Sequence, residues 1–264
     1  MVRTTGVILK SAREIELMRD ANRVVFKVHE RMRELVAPGI STAELDQAAE
    51  AMIVEAGGQP LFKGVENPQA DFPFPAVLCT SVNDVLVHGI PDDRPLEEGD
   101  IVSIDCGVRL AGYCGDAAQT LPVGKIGADS TKLLDVTRRA LDCAISLMAP
   151  GRKWSEVAGQ MQRLVEDEGL AVVREFVGHG IGRQMHEEPK VPNYWDARQA
   201  ASDFELVPGL VLAVEPMVNL GSHLVDYRGP GRWAVVTRDG KNAAHFEHTI
   251  AITEDGPDVL SDGR

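Results

Sequence analysis

Several things are scarce in this chain of 264 residues, and each scarcity excludes a class of protein. No run approaches the roughly 18 consecutive apolar residues that a membrane helix requires, and the start, Met1 to Lys10, lacks the apolar centre of a secretory signal. There are only four cysteines, Cys79, Cys106, Cys114 and Cys143, and no two stand in a C-x-x-C pair. That spacing offers neither a thiolate zinc site nor a disulfide framework, so reduced thiols in the cytoplasm are expected. Positive charge is also short. With 27 Lys and Arg against 40 Asp and Glu, the formal net charge is −13. Phosphate backbones are bound by basic surfaces, so no specific nucleic-acid partner is expected, and no membrane either.

What is present is a large apolar fraction, 44% of residues, enough for a substantial core. Ser11-Ala12-Arg13-Glu14 reads as a capping box. Behind it Ile15, Met18, Ala21, Val25, Val28, Met32 and Leu35 recur at steps of three and four, which predicts an amphipathic helix ending at Pro38-Gly39. A second capping box, Ser41 to Glu44, opens a helix that should end near Gly57-Gly58. Short strands are expected at 76–79 and 85–88, a longer one at 101–108, and a returning strand that carries Asp116.

The second half repeats the first. Pro38-Gly39 and Pro150-Gly151 stand 112 residues apart, as do Glu44 and Glu156, and Gly57 and Gly169. His88-Gly89-Ile90 is echoed by His179-Gly180-Ile181, and Asp105 and Glu215 each stand six residues after a glycine. Two related halves, about 11–125 and 130–254, are therefore expected to share one sheet with helices outside, as a single catalytic domain over 1–264.

The chemistry centres on Phe176 to Tyr194, where Gly178, Gly180 and Gly182 surround His179, and His186 precedes Glu187-Glu188. A glycine turn with two surface histidines would look the same in isolation. The carboxylates elsewhere weigh against that reading. Asp105, Glu215 and Glu247 interrupt apolar strands, and Asp116 lies on the return from Asp105. A carboxylate in a buried strand is costly unless paired or metal-bound. Were the four to converge, each close pair would cost about 4 kcal/mol at ~4 Å and an effective dielectric of 20. No lysine or arginine stands at a matching strand position to neutralise them. Protonated or separately solvated acids are one solution; divalent cations are the other. Four carboxylates and one histidine form an oxygen-rich set that favours Mn²⁺, Fe²⁺ or Co²⁺, and bridging carboxylates allow two ions roughly 3.5–4 Å apart.

At these residues the sequence resembles the type I methionine aminopeptidases. The resemblance rests on Gly178 to Gly182, His186 to Pro189, His88 to Pro91, Asp105 with Asp116, Glu215-Pro216-Met217 and Glu247-His248-Thr249, and runs from about residue 11 to 254. It implies the α/β (α+β) pita-bread fold, with two pseudo-symmetric halves, a central antiparallel sheet and helices outside. It implies two divalent metal ions (Co, Mn, Fe, Zn or Ni) held by Asp105, Asp116, His179, Glu215 and Glu247, with Asp116 and Glu247 bridging. His88 would contact the scissile nitrogen, His186 the carbonyl oxygen, and Glu215 would carry the proton from water to the amine. Phe74, Cys79, Met185 and Trp233 would line the methionine pocket. Asp71 stands where an aromatic is expected, Met185 where a phenylalanine is common, and Ala117-Ala118 where hydroxyl residues are frequent. A monovalent cation near Asn83 and Val85 is a further implication. The implied substrates are N-terminal Met peptides and nascent chains with a small second residue, met at the ribosome by a cytoplasmic monomer. X-Pro aminopeptidases and prolidases, which share the five ligands, are the alternative. Non-enzymatic relatives usually lose ligands, and all five are present.

Overall fold

In a computed structural model, which describes residues 6–264, the chain opens with helix α1 (Ala12–Leu35) and helix α2 (Thr42–Glu55), both started by the predicted capping boxes at Ser11 and Ser41. Strands β1 (Gln59–Pro60), β2 (Leu78–Val82), β3 (Val85–Val87), β4 (Ile101–Leu110) and β5 (Tyr113–Pro122) follow. The second half begins with α3 (Ala128–Leu147) and α4 (Trp154–Asp167), then β6 (Ala171–Val172), β7 (Gly178–Gly180), β8 (Glu187–Val191), β9 (Val211–Val214) and β10 (Met217–Asn219). It closes with β11 (Val225–Arg228), β12 (Ala234–Thr237), β13 (Ala243–His245), β14 (Glu247–Thr253) and β15 (Gly256–Val259).

The main sheet shows why the sequence repeats. Its inner strands run β2, β4, β5 from the first half and β14, β9, β7 from the second, all antiparallel. The halves meet where β5 pairs β14, with Glu247 opposite Ala118. Each half buries its helices against its own strands. α1 and α2 cover Ile104, Cys106, Val108 and Ala117, while α3 and α4 cover Leu212, Val214, Ile250 and Ile252. Side chains alternate across a strand, so Asp105, Asp116 and Glu247 fall on the face opposite the helices. That alternation, rather than any loop, points the acids inward together.

Three boundaries differ from expectation. The strand expected at 76–79 begins at Leu78, because Asp46 Oδ1 on α2 accepts the N–H groups of Val77 and Leu78 at 3.0 and 2.8 Å. Glu215 lies just past the end of β9 rather than within a strand; Pro216 has no N–H to continue the ladder. Glu247 is the first residue of β14, not an interior one. Both glutamates thereby sit at strand ends on the inner face. Among the described residues no helix is long and apolar enough to cross a membrane.

Candidate active site

One cavity of about 390 Å³ on the inner face is lined by all eleven residues predicted to bind metal, act in catalysis or hold the methionine side chain. Asp105, Asp116, His179, Glu215 and Glu247 occupy one end. Phe74, Cys79, Met185 and Trp233 occupy another, and His88 and His186 lie on the same walls.

The acidic end is built from residues in or next to strands, and among the described residues no lysine or arginine lines the cavity to balance them. Candidate ligand atoms of Asp116, His179 and Glu247 lie within 4.8 Å of one another, and so do those of Glu215, His245 and Glu247. Asp116 and Glu247 are buried. Burial and the charges of neighbouring acids push both carboxyls well above the usual carboxylate range. Burial raises Asp105 to about 7, against the opposing pull of His245. Asp105 Oδ1 and Asp116 Oδ1 are buried without a hydrogen-bond partner among the described residues. Buried polar atoms are almost always satisfied, so these two oxygens mark places for something the polypeptide does not supply.

His179 completes the cluster. Its Nδ1 is 3.0 Å from Gly180 O, which assigns the proton to Nδ1 and leaves Nε2 as the free lone pair. Nε2 stands 3.7 Å from Glu215 Oε1. The flanking glycines are needed for contact rather than looseness. A Cβ on Gly178 would come within 2.3 Å of Ala213 O, and one on Gly180 within 2.2 Å of Glu188 O. Strands β7, β8 and β9 can therefore close around His179 only with hydrogen at these positions. Hard oxygens, one imidazole nitrogen, unpartnered carboxylate oxygens and mutual repulsion together fit a pair of divalent cations and fit no structural ion pair.

Two residues were missed in the sequence. His245 is buried on the cavity wall with Nε2 3.2 Å from Glu215 Oε2, close enough for an ion pair but without hydrogen-bond alignment. Its signal was its place two residues before Glu247, but a lone histidine beside Phe246 does not announce itself. Lys10 is the other. Its Nζ is 2.7 Å from Glu187 Oε2, with the two side chains 3% and 6% exposed. Glu187, beside His186, is thereby neutralised and is not available to the acidic cluster.

His88 has φ 60, a left-handed value uncommon for a residue with a Cβ and frequent at functional sites. Its ring is 5.7 Å edge-on from Phe176 and 6.4 Å from Trp233. His186 stacks edge-on to His179 at 4.4 Å. Burial lowers both His88 and His186 to about 4, so both are neutral at neutral pH, each with one N–H donor and one acceptor.

A family model for metallopeptidase family M24 matches residues 16–254. Methionine aminopeptidase 1 of Bacillus subtilis is 48% identical over 255 residues, covering 97% of this chain and 99% of that one. The chain belongs to the methionine aminopeptidases of metallopeptidase family M24. The methionine aminopeptidase of Clostridium perfringens is 44% identical, with 97% and 98% coverage. The solved structure of the methionine aminopeptidase of Rickettsia prowazekii superposes with a TM-score of 0.90 at 32% identity, covering 97% of this chain and 99% of that chain. The fold is accordingly the pita-bread fold. A prolidase of Pyrococcus furiosus shares it at a TM-score of 0.72 and 22% identity, where 97% of this chain matches 66% of that one.

The cavity of this methionine aminopeptidase also has an apolar wall. Phe62, Phe74, Ala76, Cys79 and Trp233 form a buried cluster with Val65 and Met185 packed against it. Phe74 meets Trp233 edge-on at 5.1 Å, and Trp233 Nε1 donates to Phe72 O at 2.8 Å. Asp71 is not part of this wall. It is exposed, and its N–H donates to Gly231 O at 3.2 Å. Phe62 and Val65 add to the apolar surface of Phe74, Cys79, Met185 and Trp233, a contribution that the irregular 59–75 segment hid from sequence reading. Asn83 lies outside the cavity. Its Nδ2 donates to Asp100 Oδ1 at 2.7 Å, while its Oδ1 accepts Ile101 N–H at 3.0 Å and its main-chain O accepts Ala243 N–H at 2.9 Å. These bonds fix the turn at Asn83, whose φ is 56.

Proposed function

We propose that this chain, acting as one catalytic domain, hydrolyses the first peptide bond of chains that begin with a free methionine and continue with a small residue. One observation carries the reading: an oxygen-rich cluster and a sulfur- and aromatic-lined wall share one cavity. Asp105, Asp116, His179, Glu215 and Glu247 would hold two divalent ions, with Asp116 and Glu247 shared between them. Such ions, when bound, supply Lewis acidity that makes water nucleophilic near neutral pH and polarises a carbonyl.

The remaining work belongs to the side chains. Glu215 accepts a proton as water adds to the scissile carbonyl carbon, then delivers it to the amine nitrogen as the C–N bond breaks. His245, beside the same carboxylate, positions it. Neutral His186 offers an N–H to the carbonyl oxygen, and neutral His88 contacts the scissile nitrogen. Phe74, Cys79, Met185 and Trp233 enclose the thioether side chain and exclude water from it. The substrates on this reading are peptides and nascent chains in the cytoplasm, met at the ribosome by a monomer. A monovalent cation near Asn83 and Val85 would share the Asn83 oxygens, each of which accepts one N–H and keeps a second lone pair.

The direct test is release of free methionine from a Met-Ala-Ser peptide by metal-stripped protein, before and after Mn²⁺, Fe²⁺, Co²⁺ or Zn²⁺ is restored separately. No release with any ion sinks the reading. His88→Ala separates catalysis from metal holding. Losing a proton-handling or hydrogen-bonding contact of this kind costs typically 10²–10⁴-fold in rate, and metal content should match the wild type. A variant that folds but loses its metal would make His88 a ligand instead.

A further inference from the structure

On the opposite face of the sheet, between α1 and α3, lies a second pocket of about 130 Å³, which touches the active-site residues only through Glu247 at its edge. Its floor includes Ala117 and the backbone of Ala118 on β5, and the short Ala117 side chain leaves the space open. Arg33 from α1 and Arg138 from α3 both line it. This is an unusual meeting in a chain with a net charge of −13. Arg33 donates through Nε to Gln119 Oε1 at 2.7 Å. Its terminal nitrogens make no hydrogen bond or ion pair among the described residues, and no side-chain bond of either kind is formed by Arg138. The Arg138 guanidinium instead sits 4.9 Å from the Phe246 ring centre. Burial lowers the pKa of Arg33; the Glu30 carboxylate opposes this, and Arg138 is near enough to add to the lowering. Two acids line it as well, Asp142 and Glu247. Neither pairs with either arginine among the described residues, and the Glu247 carboxylate lies with Asp116 and His179 in the active-site cavity.

A third donor is available. Ser261 Oγ accepts Thr249 N–H at 3.1 Å and lies 2.7 Å from His248 Nδ1, to which its hydroxyl can donate. That donation puts the ring proton of His248 on Nε2, which has no partner among the described residues. His29, by contrast, is fully used, with Nε2 2.7 Å from Ala117 O and Nδ1 3.0 Å from Gln119 Nε2. Two guanidinium groups with unpartnered terminal nitrogens and an imidazole nitrogen around a small recess match a compact oxyanion, since guanidinium groups bind such anions through paired hydrogen bonds.

We propose that this pocket binds a phosphate-sized oxyanion between Arg33 and Arg138, with His248 as a third donor. The inference does not depend on the peptidase reading. The test is calorimetric titration of the metal-loaded protein with inorganic phosphate, at ionic strength held constant with chloride, for wild type, Arg33→Gln, Arg138→Gln and the double variant. Methionine release in chloride alone checks that each variant is folded. Each single change should weaken one binding event by roughly tenfold or more, the loss expected for a hydrogen bond to a charged group. The double change should remove that event and leave activity in chloride intact. Phosphate could also bind at the metal centre, but that event would be the same in all four proteins. Identical titrations across the series, or no binding by the wild type, would overturn the proposal.

Discussion

Asp116→Ala and Glu247→Ala lose methionine release and tight metal binding together. Each carboxylate stands among ligand atoms no more than 4.8 Å apart, and Glu247 belongs to both groups of candidate ligands. A shared ligand touches both ions, so its removal disturbs both. The fall in activity should exceed the 10–100-fold typical when only an outer hydrogen bond to a ligand is lost. A conservative change sharpens the test. In metal-free protein, burial and neighbouring acids raise the Glu247 pKa above its unfolded value. An acid with a raised folded pKa binds its proton more tightly in the folded state. Stability therefore falls as pH rises through the unfolded carboxylate value toward the folded one. Metal-free Glu247→Gln should show a shallower decline than metal-free wild type, and a smaller gain in thermal stability when metal is added. Equal metal-induced stabilisation of both proteins would contradict a ligand role.

Peptides that begin with methionine should exceed those beginning with lysine or glutamate by orders of magnitude in kcat/KM. The wall formed by Phe62, Phe74, Cys79 and Trp233 is buried and apolar. An unpaired charge placed against it costs several kcal/mol, and each 1.4 kcal/mol is a factor of ten. A thioether meets no such penalty and gains contact with aromatic edges. A formylated or acetylated methionine should not be released, because the free amine is the group proposed to anchor the substrate at the acidic end. The panel is Met-Ala, Met-Lys, formyl-Met-Ala, Ala-Pro and Leu-Pro termini at one metal concentration. Met-Lys should be slow because the second residue must be small. Faster cleavage of Ala-Pro or Leu-Pro than of Met-Ala would move the chain to the proline-specific branch of the fold.

Much of this was legible in the sequence because the relevant signals are local or periodic. Two capping boxes start the first two helices at Ser11 and Ser41, where short-range hydrogen bonds decide the outcome. The 112-residue repeat reflects one strand order used twice, and the acids inside apolar runs report a face that alternation brings together. What stayed hidden depends on distant partners. Lys10 reaches Glu187 across 177 positions, and nothing near either residue forecasts the pair. His245 gains meaning only beside Glu215, which a different strand supplies. Phe62 and Val65 lie in an irregular segment that has no period to fix its register, so they were not read beside Phe74, Cys79, Met185 and Trp233. The pocket between Arg33 and Arg138 is a product of helix packing on the far face, and in the sequence each arginine reads as ordinary helix surface.

The most direct measurement follows metal content and methionine release on one preparation while Mn²⁺ or Co²⁺ is titrated into metal-stripped protein. A two-ion centre predicts no release before addition, uptake that saturates at about two ions per chain, and activity that rises with the bound metal. In Asp116→Ala both curves should flatten together. Full activity in the stripped wild type, or a fully loaded and active Asp116→Ala protein, would contradict it.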